Sequence, residues 1–277
     1  MSSLSQQPLG TEHIKMCDQY SDSQLSLILK RYLDPGYILS LPDAVSLIYR
    51  MFPEKTDASR GSNMDRGLFE NDILQIAAKT PYNDRAQSRL AKLVGYLINS
   101  QKLSDWVTEP KGYTIHKPWE NIRITLNNGY PWKSERYGTG NAQLNLHAFV
   151  ARLACLGALF PIDAPWPIWT LRDALEEDHD GRWDEMYVSS AAMWIICAGQ
   201  WVFNQIGLYS WPQPKGWHEA MWSRGSLYEG PLAGLERWNF WQARFVEAAN
   251  NRSISGECKG HAHKASELMK SLVLNSM

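Results

Sequence analysis

The stretch LERWNFWQARF, residues Leu235–Phe245, contains two tryptophans and two phenylalanines. Side chains three and four positions apart are neighbours on an α-helix, so Trp238, Trp241 and Phe245 share one face. The pattern therefore predicts an amphipathic helix with a broad aromatic face. Such a face either packs as core or lines a cavity for an apolar ligand.

Helical periodicity dominates the rest of the chain. Apolar residues recur at intervals of three and four, and we find no sustained alternation with a period of two. Helices are predicted over SDSQLSLILKRYL, LPDAVSLIYRMF, FENDILQIAAK and DRAQSRLAKLVGYLINSQ, and then over Asn141–Leu159, Trp166–Glu177, Trp183–Ile206, Pro231–Asn250 and Cys258–Leu274. The sequence thus predicts an all-α fold, a single compact helical domain of about eight to ten helices.

Two long segments interrupt the helical pattern. Asp105–Gly140 and Leu208–Gly230 are rich in proline, glycine and aromatic residues. Loops of this length in a compact domain are often functional, so we expect at least one to cover a ligand site. We predict a flexible N-terminal segment over residues 1–20 and an all-helical domain over residues 21–277.

Composition excludes several classes of partner. The formal net charge is -1, from 28 basic and 29 acidic residues, and no block of basic residues occurs. Simple electrostatics therefore predicts no binding to nucleic acid or to anionic lipid. The four cysteines are far apart in sequence and without metal-ligand spacing, which favours reduced thiols and a cytoplasmic location. The N-terminal residues have no apolar core segment, so no secretory signal is predicted.

One apolar run, Ser189–Leu208, is long enough to raise the question of a membrane span. It carries Gln200, Asn204 and Gln205 and has no flanking basic anchors. We therefore predict a central helix buried by protein, not a membrane span.

Several stretches, taken in order, resemble one family. They are NLHAFVARL (145–153), WTLRDALE (169–176), SAAMWIICAG (190–199), GPLAGLERWNFWQARF (230–245) and KASELM (264–269). This order resembles domain of unknown function 3632, a helical family common in fungi. The resemblance implies an all-helical fold and a fungal source, and no established activity. Members look like frequent neighbours of secondary-metabolite enzymes. This chain has His147 where the family pattern has Asn.

An acidic run, EEDHDGRWDE from Glu176 to Glu185, is a candidate Mg²⁺ site. Glu176 and Asp180 would share a helix face, as diphosphate binding in a metal-dependent terpene cyclase requires. No second metal triad has suitable spacing, and Gly181 is expected to end the helix. The favoured interpretation is a solvated helix end and loop.

Motifs for other cofactors are absent from the sequence. It has no His-Glu-x-x-His, no Cys-x-x-Cys, no Gly-x-Ser-x-Gly and no glycine-rich phosphate loop. We therefore predict a protein without a metal site and without a nucleotide cofactor.

Polar residues set among apolar ones remain as candidates. In the cavity hypothesis Arg152, Asn145 and Tyr187 orient a ligand and act as catalytic groups. Aromatic side chains would then bind substrate, namely Phe149, Trp169, Trp194, Trp201, Trp238 and Trp241. The competing interpretation is plain core, in which Arg152 is largely buried and forms an ion pair with Asp173 or Glu176.

Two functions fit this pattern. The favoured one is a cofactor-independent small-molecule enzyme, a cyclase or isomerase, with a pericyclic reaction as one candidate. It would act on a hydrophobic natural-product intermediate in fungal secondary metabolism, a chemistry that needs one reactive conformer and little acid–base catalysis. The alternative is a non-enzymatic helical protein that binds a small molecule or another protein. The oligomeric state stays open.

Overall fold

The computed structural model describes residues 21–36, 39–52, 62–98, 105–108, 114–117, 140–158, 165–208 and 217–276. Ten α-helices lie in these ranges, and the predicted all-α class is confirmed. They are α1 (Asp22–Leu33), α2 (Leu41–Arg50), α3 (Ser62–Lys79), α4 (Arg85–Ile98), α5 (Asn141–Cys155), α6 (Pro165–Leu175), α7 (Glu185–Val202), α8 (Trp217–Met221), α9 (Leu235–Asn250) and α10 (Gly256–Leu274). A π-helical turn, Phe203–Gly207, continues α7.

The chain divides into two compact units, Met1–Tyr130 and Pro131–Met277. The first contains α1 to α4 and a short antiparallel ribbon of β1 (Asp105–Thr108) and β2 (Thr114–Lys117). The ribbon lies in a segment predicted as loop, where no alternating pattern indicated strands. The domain bounds predicted from sequence stay a prediction.

In the first unit, α1, α2 and α4 pack against one another. Leu25, Ile28, Leu29 and Tyr32 form the buried face of α1, as their spacing predicts. Arg89 of α4 donates to the carbonyl of Tyr32, and the Tyr32 hydroxyl donates to the carbonyl of Arg89 over 3.1 Å. These bonds fix α4 against α1.

In the second unit, α7 is the central helix and packs against α5, α6 and α10. Its N-terminus is capped by Asp184, whose carboxylate accepts from the backbone N–H groups of Met186 and Tyr187. Glu185–Gly207 is long and apolar enough to cross a membrane by length and composition, and 67% of its most apolar window is buried by protein. The packing matches the predicted central helix.

The backbone of α7 departs from regular helix near its C-terminal end. Ala198 has φ -141° and ψ 23°, which interrupts the helix, and the π-helical turn follows. A Cβ on Gly207 would lie 2.4 Å from the Phe203 ring, so only glycine fits that turn. The Gly234 N–H donates to the carbonyl of Ile206 over 2.8 Å and joins the start of α9 to this end of α7.

Candidate functional site

A buried carboxylate, that of Glu176, directly follows α6. Glu176 is 0% exposed, and each of its carboxylate oxygens accepts two hydrogen bonds. Oε1 accepts from Arg237 Nε (2.7 Å) and Trp241 Nε1 (2.6 Å), while Oε2 accepts from Arg237 Nη2 (3.0 Å) and the Gly225 N–H (2.9 Å). The carboxylate therefore has all the partners that its lone pairs can take.

The guanidinium of Arg237, which faces this carboxylate, also has all its hydrogen-bonding groups used. Arg237 is also 0% exposed, and its Nη1 donates to the carbonyls of Trp222 and Leu232, both at 2.7 Å. Its Nη2 donates to the Ser223 carbonyl over 3.0 Å as well as to Glu176. All five guanidinium N–H groups are thus used. A buried ion pair this well satisfied costs much less than an unpaired charge and specifies one geometry.

This ion pair holds the segment 222–232 against the end of α6. Leu227 N–H donates to the Glu176 carbonyl over 2.7 Å. A Cβ on Gly225 would lie 2.6 Å from the backbone of Glu176, so the two backbones approach as closely as only glycine permits. We call Glu176, Arg237, Trp241 and Gly225 the Glu–Arg clamp.

A second polar group lies beside the clamp and is partly exposed. Arg172 Nη1 donates to Ser223 Oγ over 2.9 Å, and its Nε and Nη2 donate to Asp173 Oδ1. The side chains of Arg172 and Asp173 are 18% and 20% exposed. Trp169 Nε1 donates to the Met221 carbonyl over 2.7 Å. The clamp and these bonds together bring the loop before α9 to the surface of α6.

Two rings complete this surface. The rings of His179 and Tyr187 stack with centroids 5.5 Å apart and an interplanar angle of 30°. His179 Nε2 lies 2.6 Å from the Asp173 carbonyl oxygen. A carbonyl only accepts, so Nε2 carries the hydrogen and Nδ1 is the basic nitrogen. Within the described ranges neither Nδ1 of His179 nor the hydroxyl of Tyr187 has a hydrogen-bond partner.

The environment keeps the Tyr187 hydroxyl protonated. Partial burial raises the pKa of Tyr187, and the nearby carboxylates of Asp184 and Asp173 raise it further. The phenol is therefore a neutral donor at physiological pH. A basic nitrogen and a hydroxyl donor on adjacent, partly exposed rings form an arrangement that can move a proton on a bound small molecule.

Most of the aromatic residues predicted to bind substrate lie in the core. Phe149, Trp194, Trp238 and Trp241 are 0% exposed. Indole N–H groups of this set already donate within the protein: Trp194 to His147 Nδ1, Trp238 to the Met269 carbonyl and Trp241 to Glu176. Trp169 and Trp201 are partly exposed. The three buried tryptophans of this predicted set therefore have no N–H left to hold a ligand.

The position that departs from the family pattern has a structural partner. His147 is 1% exposed and accepts from Trp194 Nε1 over 3.2 Å, so its own hydrogen lies on Nε2. Burial lowers the pKa of His147 to about 3. Asn145, predicted as a ligand-orienting group, is also buried, at 6% exposed. Both side chains belong to the interior of the second unit.

The predicted partners of Arg152 are wrong. Glu176 pairs with Arg237, and Asp173 pairs with Arg172. Arg152 is only partly buried, and its Nη1 donates to the Ala148 carbonyl over 3.1 Å, one turn earlier in α5. A cation in the last turn of a helix is stabilised by the unpaired carbonyls there. Neither Asp173 nor Glu176 is therefore the partner of Arg152.

The expected solvation of the acidic run is also wrong for one residue. α6 ends at Leu175, and Glu176 enters the interior while Asp178 and Asp180 stay exposed. The signal for this was present in the sequence, because Glu176 ends WTLRDALE and Arg237 begins RWNFWQARF, two stretches that carry the family resemblance. His179 had no such signal, since it lies in a polar loop.

Across the described ranges, no three His, Cys, Asp or Glu side chains are grouped so as to hold a metal ion. That the protein works without a metal stays a prediction.

Fold and site together describe an all-helical protein with two polar groups at the end of α6. One is a buried glutamate–arginine ion pair, and the other is a partly exposed His–Tyr pair. The chain belongs to the family described as Protein of unknown function (DUF3632), which matches residues 71–245 and so includes the clamp and both rings. No curated protein and no solved structure matches the chain.

Proposed function

We propose that this protein is a cofactor-independent small-molecule enzyme, an isomerase or cyclase, in which His179 and Tyr187 transfer protons. The observation that carries the proposal is the stacked pair itself. His179 Nδ1 and the Tyr187 hydroxyl are unpartnered within the described ranges, although Nε2 of the same imidazole is fixed by a 2.6 Å hydrogen bond. A fixed tautomer with its basic nitrogen available is what a general base requires.

The chemistry follows from the two groups. Tyr187 donates a hydrogen bond to a substrate carbonyl and stabilises the negative charge that develops there. His179 Nδ1 removes a proton from the adjacent carbon and returns it to another carbon of the substrate. For ring closure, the enolate carbon adds to a second carbonyl or an activated double bond of the same molecule, whose π bond breaks as it takes the proton back from His179. Each step balances without an oxidant or reductant.

The substrate class comes from the surroundings. Trp169 is partly exposed and lies one helical turn before Asp173 on α6, so its ring offers apolar surface on that side of the helix. A hydrophobic intermediate with one activating carbonyl suits this combination. The fungal source and the setting in secondary metabolism belong to this proposal as well.

The test compares metabolites of the source organism with and without the gene. Deletion is expected to accumulate one intermediate, and complementation by the parent gene to remove it. His179→Gln keeps a side-chain N–H for the Asp173 carbonyl and lacks the base, and Tyr187→Phe keeps the ring and lacks the hydroxyl. Neither variant is expected to remove the intermediate.

Two control variants change the same residue types elsewhere. His263 is exposed on α10, and Tyr96 is 59% exposed on α4. His263→Gln and Tyr96→Phe are expected to complement as the parent does. Full complementation by the His179 and Tyr187 variants would remove these residues from the reaction.

A non-enzymatic binding or interaction protein is the second candidate. The filled core of the second unit favours it, because the indole N–H groups of Trp194, Trp238 and Trp241 are all used internally. Deletion would then change no metabolite, and this outcome would contradict the enzyme proposal.

A further inference from the structure

Two cysteines that are distant in sequence meet in the fold. Cys155 ends α5 and Cys197 lies in α7, yet Cys155 Sγ is 3.5 Å from the Cys197 carbonyl oxygen. The S–H group of Cys155 is therefore directed at the backbone that carries the second thiol.

Small buried side chains precede Cys155 on α5. Ala151 and Ala154 of α5 are 0% and 1% exposed, and α5 packs directly on α7. Helices that meet through alanine approach more closely than helices that meet through larger residues. Side chains as short as cysteine can then reach across the interface.

The backbone near both cysteines is less constrained than in mid-helix. Cys155 is the last residue of α5, two positions before Gly157 with its φ of +72°. Cys197 directly precedes Ala198, where α7 leaves helical geometry. Joining the sulfurs needs a specific separation of the two Cα atoms, and these irregular points can adjust to it.

The two thiols differ in access. Cys155 is exposed, Cys197 is partly buried, and Cys258 is buried with its Sγ 3.6 Å from the Glu185 carbonyl. Burial raises the pKa of both Cys155 and Cys197, and the Arg152 guanidinium opposes this shift at each of them. Lys264 of α10 has the same effect on Cys197. Both groups are then mainly thiols at neutral pH, so they react slowly.

We propose that Cys155 and Cys197 form a reversible intramolecular disulfide when the protein meets a small-molecule disulfide such as oxidised glutathione. The Cys155 thiolate attacks one sulfur of oxidised glutathione, forms a mixed disulfide and expels one glutathione thiolate. The Cys197 thiolate then attacks the Cys155 sulfur and expels the second. Two protein thiols lose two electrons and two protons, and one glutathione disulfide becomes two glutathione molecules.

The experiment incubates the full-length protein with oxidised glutathione at about pH 8, where thiolate is more abundant. The expected product has lost two hydrogens by intact mass, and its peptide map links Cys155 to Cys197. Because thiolate is the attacking species, the rate should rise roughly tenfold per pH unit below the thiol pKa. Dithiothreitol should restore the starting mass.

Three serine variants separate the steps. Cys197→Ser should stop at a stable mixed disulfide on Cys155, and Cys155→Ser should give no cross-link to Cys197. Cys258→Ser, the matched control, should cross-link as the parent does. A parent protein that ends as the mixed disulfide, links another cysteine or stays unmodified would overturn the proposal. The mass readout does not depend on any enzymatic activity.

Discussion

The Glu–Arg clamp and the His179–Tyr187 pair lie at the same end of α6, and their hydrogen bonding is opposite. In the clamp, both charged side chains are 0% exposed and every donor and acceptor is used. In the ring pair, both side chains are partly exposed, and a nitrogen and a hydroxyl have no partner within the described ranges.

The comparison shows which group can act on a ligand. A ligand can bind the clamp only by breaking bonds that are already made, and each broken bond leaves a buried charge partly unsatisfied. At the ring pair, a ligand can bind His179 Nδ1 and the Tyr187 hydroxyl without breaking a hydrogen bond within the described ranges. Charge density alone would have pointed to the clamp, whereas unused hydrogen-bonding capacity points to the rings.

The largest expected effect comes from breaking the clamp. Arg237→Met leaves the Glu176 carboxylate buried without its cation, which should cost about 3–5 kcal/mol of unfolding free energy. Denaturant unfolding measures the loss. Arg224 is exposed and donates to the Glu229 carbonyl, so Arg224→Met should cost at most about 0.5 kcal/mol. A loss below about 1 kcal/mol for Arg237→Met would mean that the clamp does not hold the fold.

A third polar group, His147, is buried and neutral, and it makes the stability of the fold depend on pH. Its pKa in the folded protein is about 3, against an unfolded value of 6.5, so between these values the unfolded chain binds more protons. Stability attributable to this group therefore falls as the pH falls, by about 1.4 kcal/mol per pH unit.

At about pH 4.5 the accumulated loss should be roughly 2–3 kcal/mol. His147→Asn keeps a side-chain acceptor for Trp194 and does not titrate here. As the pH is lowered from 7 to 4.5, the unfolding free energy of the parent should therefore fall more than that of the variant. Parallel stability–pH curves would show that His147 is not the acid-sensitive group.

A smaller effect is expected from the glycine that lets the clamp close. Gly225→Ala places a methyl group 2.6 Å from the Glu176 backbone, so segment 222–232 must move away. The expected cost is about 1–3 kcal/mol. Gly260 lies in α10 with open space around its Cβ position. Gly260→Ala should stabilise the protein by up to about 1 kcal/mol, and thermal melts of both variants test the pair.

The sequence predicted the fold well because helix formation is encoded locally. From the three- and four-residue spacing, one helix was predicted to begin at Asn141 and another to end at Leu274. In the structure α5 begins at Asn141 and α10 ends at Leu274. Caps and prolines bounded others to within a few residues. The fully buried Trp194 and Trp238 had the spacing of a helix face, which is the same for core and for cavity, so periodicity could not separate the two.

The site was less predictable, because its partners are set by packing. Glu176 and Arg237 are 61 positions apart, and Arg152 was an equally suitable cation on sequence grounds. In the fold, Arg237 also donates to the carbonyls of Trp222, Ser223 and Leu232, contacts that no sequence pattern indicates. Tyr187 was predicted as a site residue from its position on α7. The position of His179 depends on the turn after α6, where Asp180 adopts a left-handed φ of 55°, and the helical periodicity did not predict that turn.

The smallest expected effect on stability is at the ring pair, and it is the sharpest test of the comparison. Tyr187→Phe removes a hydroxyl that has no hydrogen-bond partner within the described ranges and keeps the stack on His179. Surface changes of this kind alter the unfolding free energy by about 0.5 kcal/mol or less. The parent and the variant should therefore melt together, while the variant fails to remove the intermediate that accumulates on deletion of the gene. A loss of stability beyond about 1 kcal/mol would mean that the hydroxyl has a structural partner. In that event the ring pair would resemble the clamp. The contrast between a polar group with all its hydrogen bonds made and one with unused hydrogen-bonding groups would then not hold.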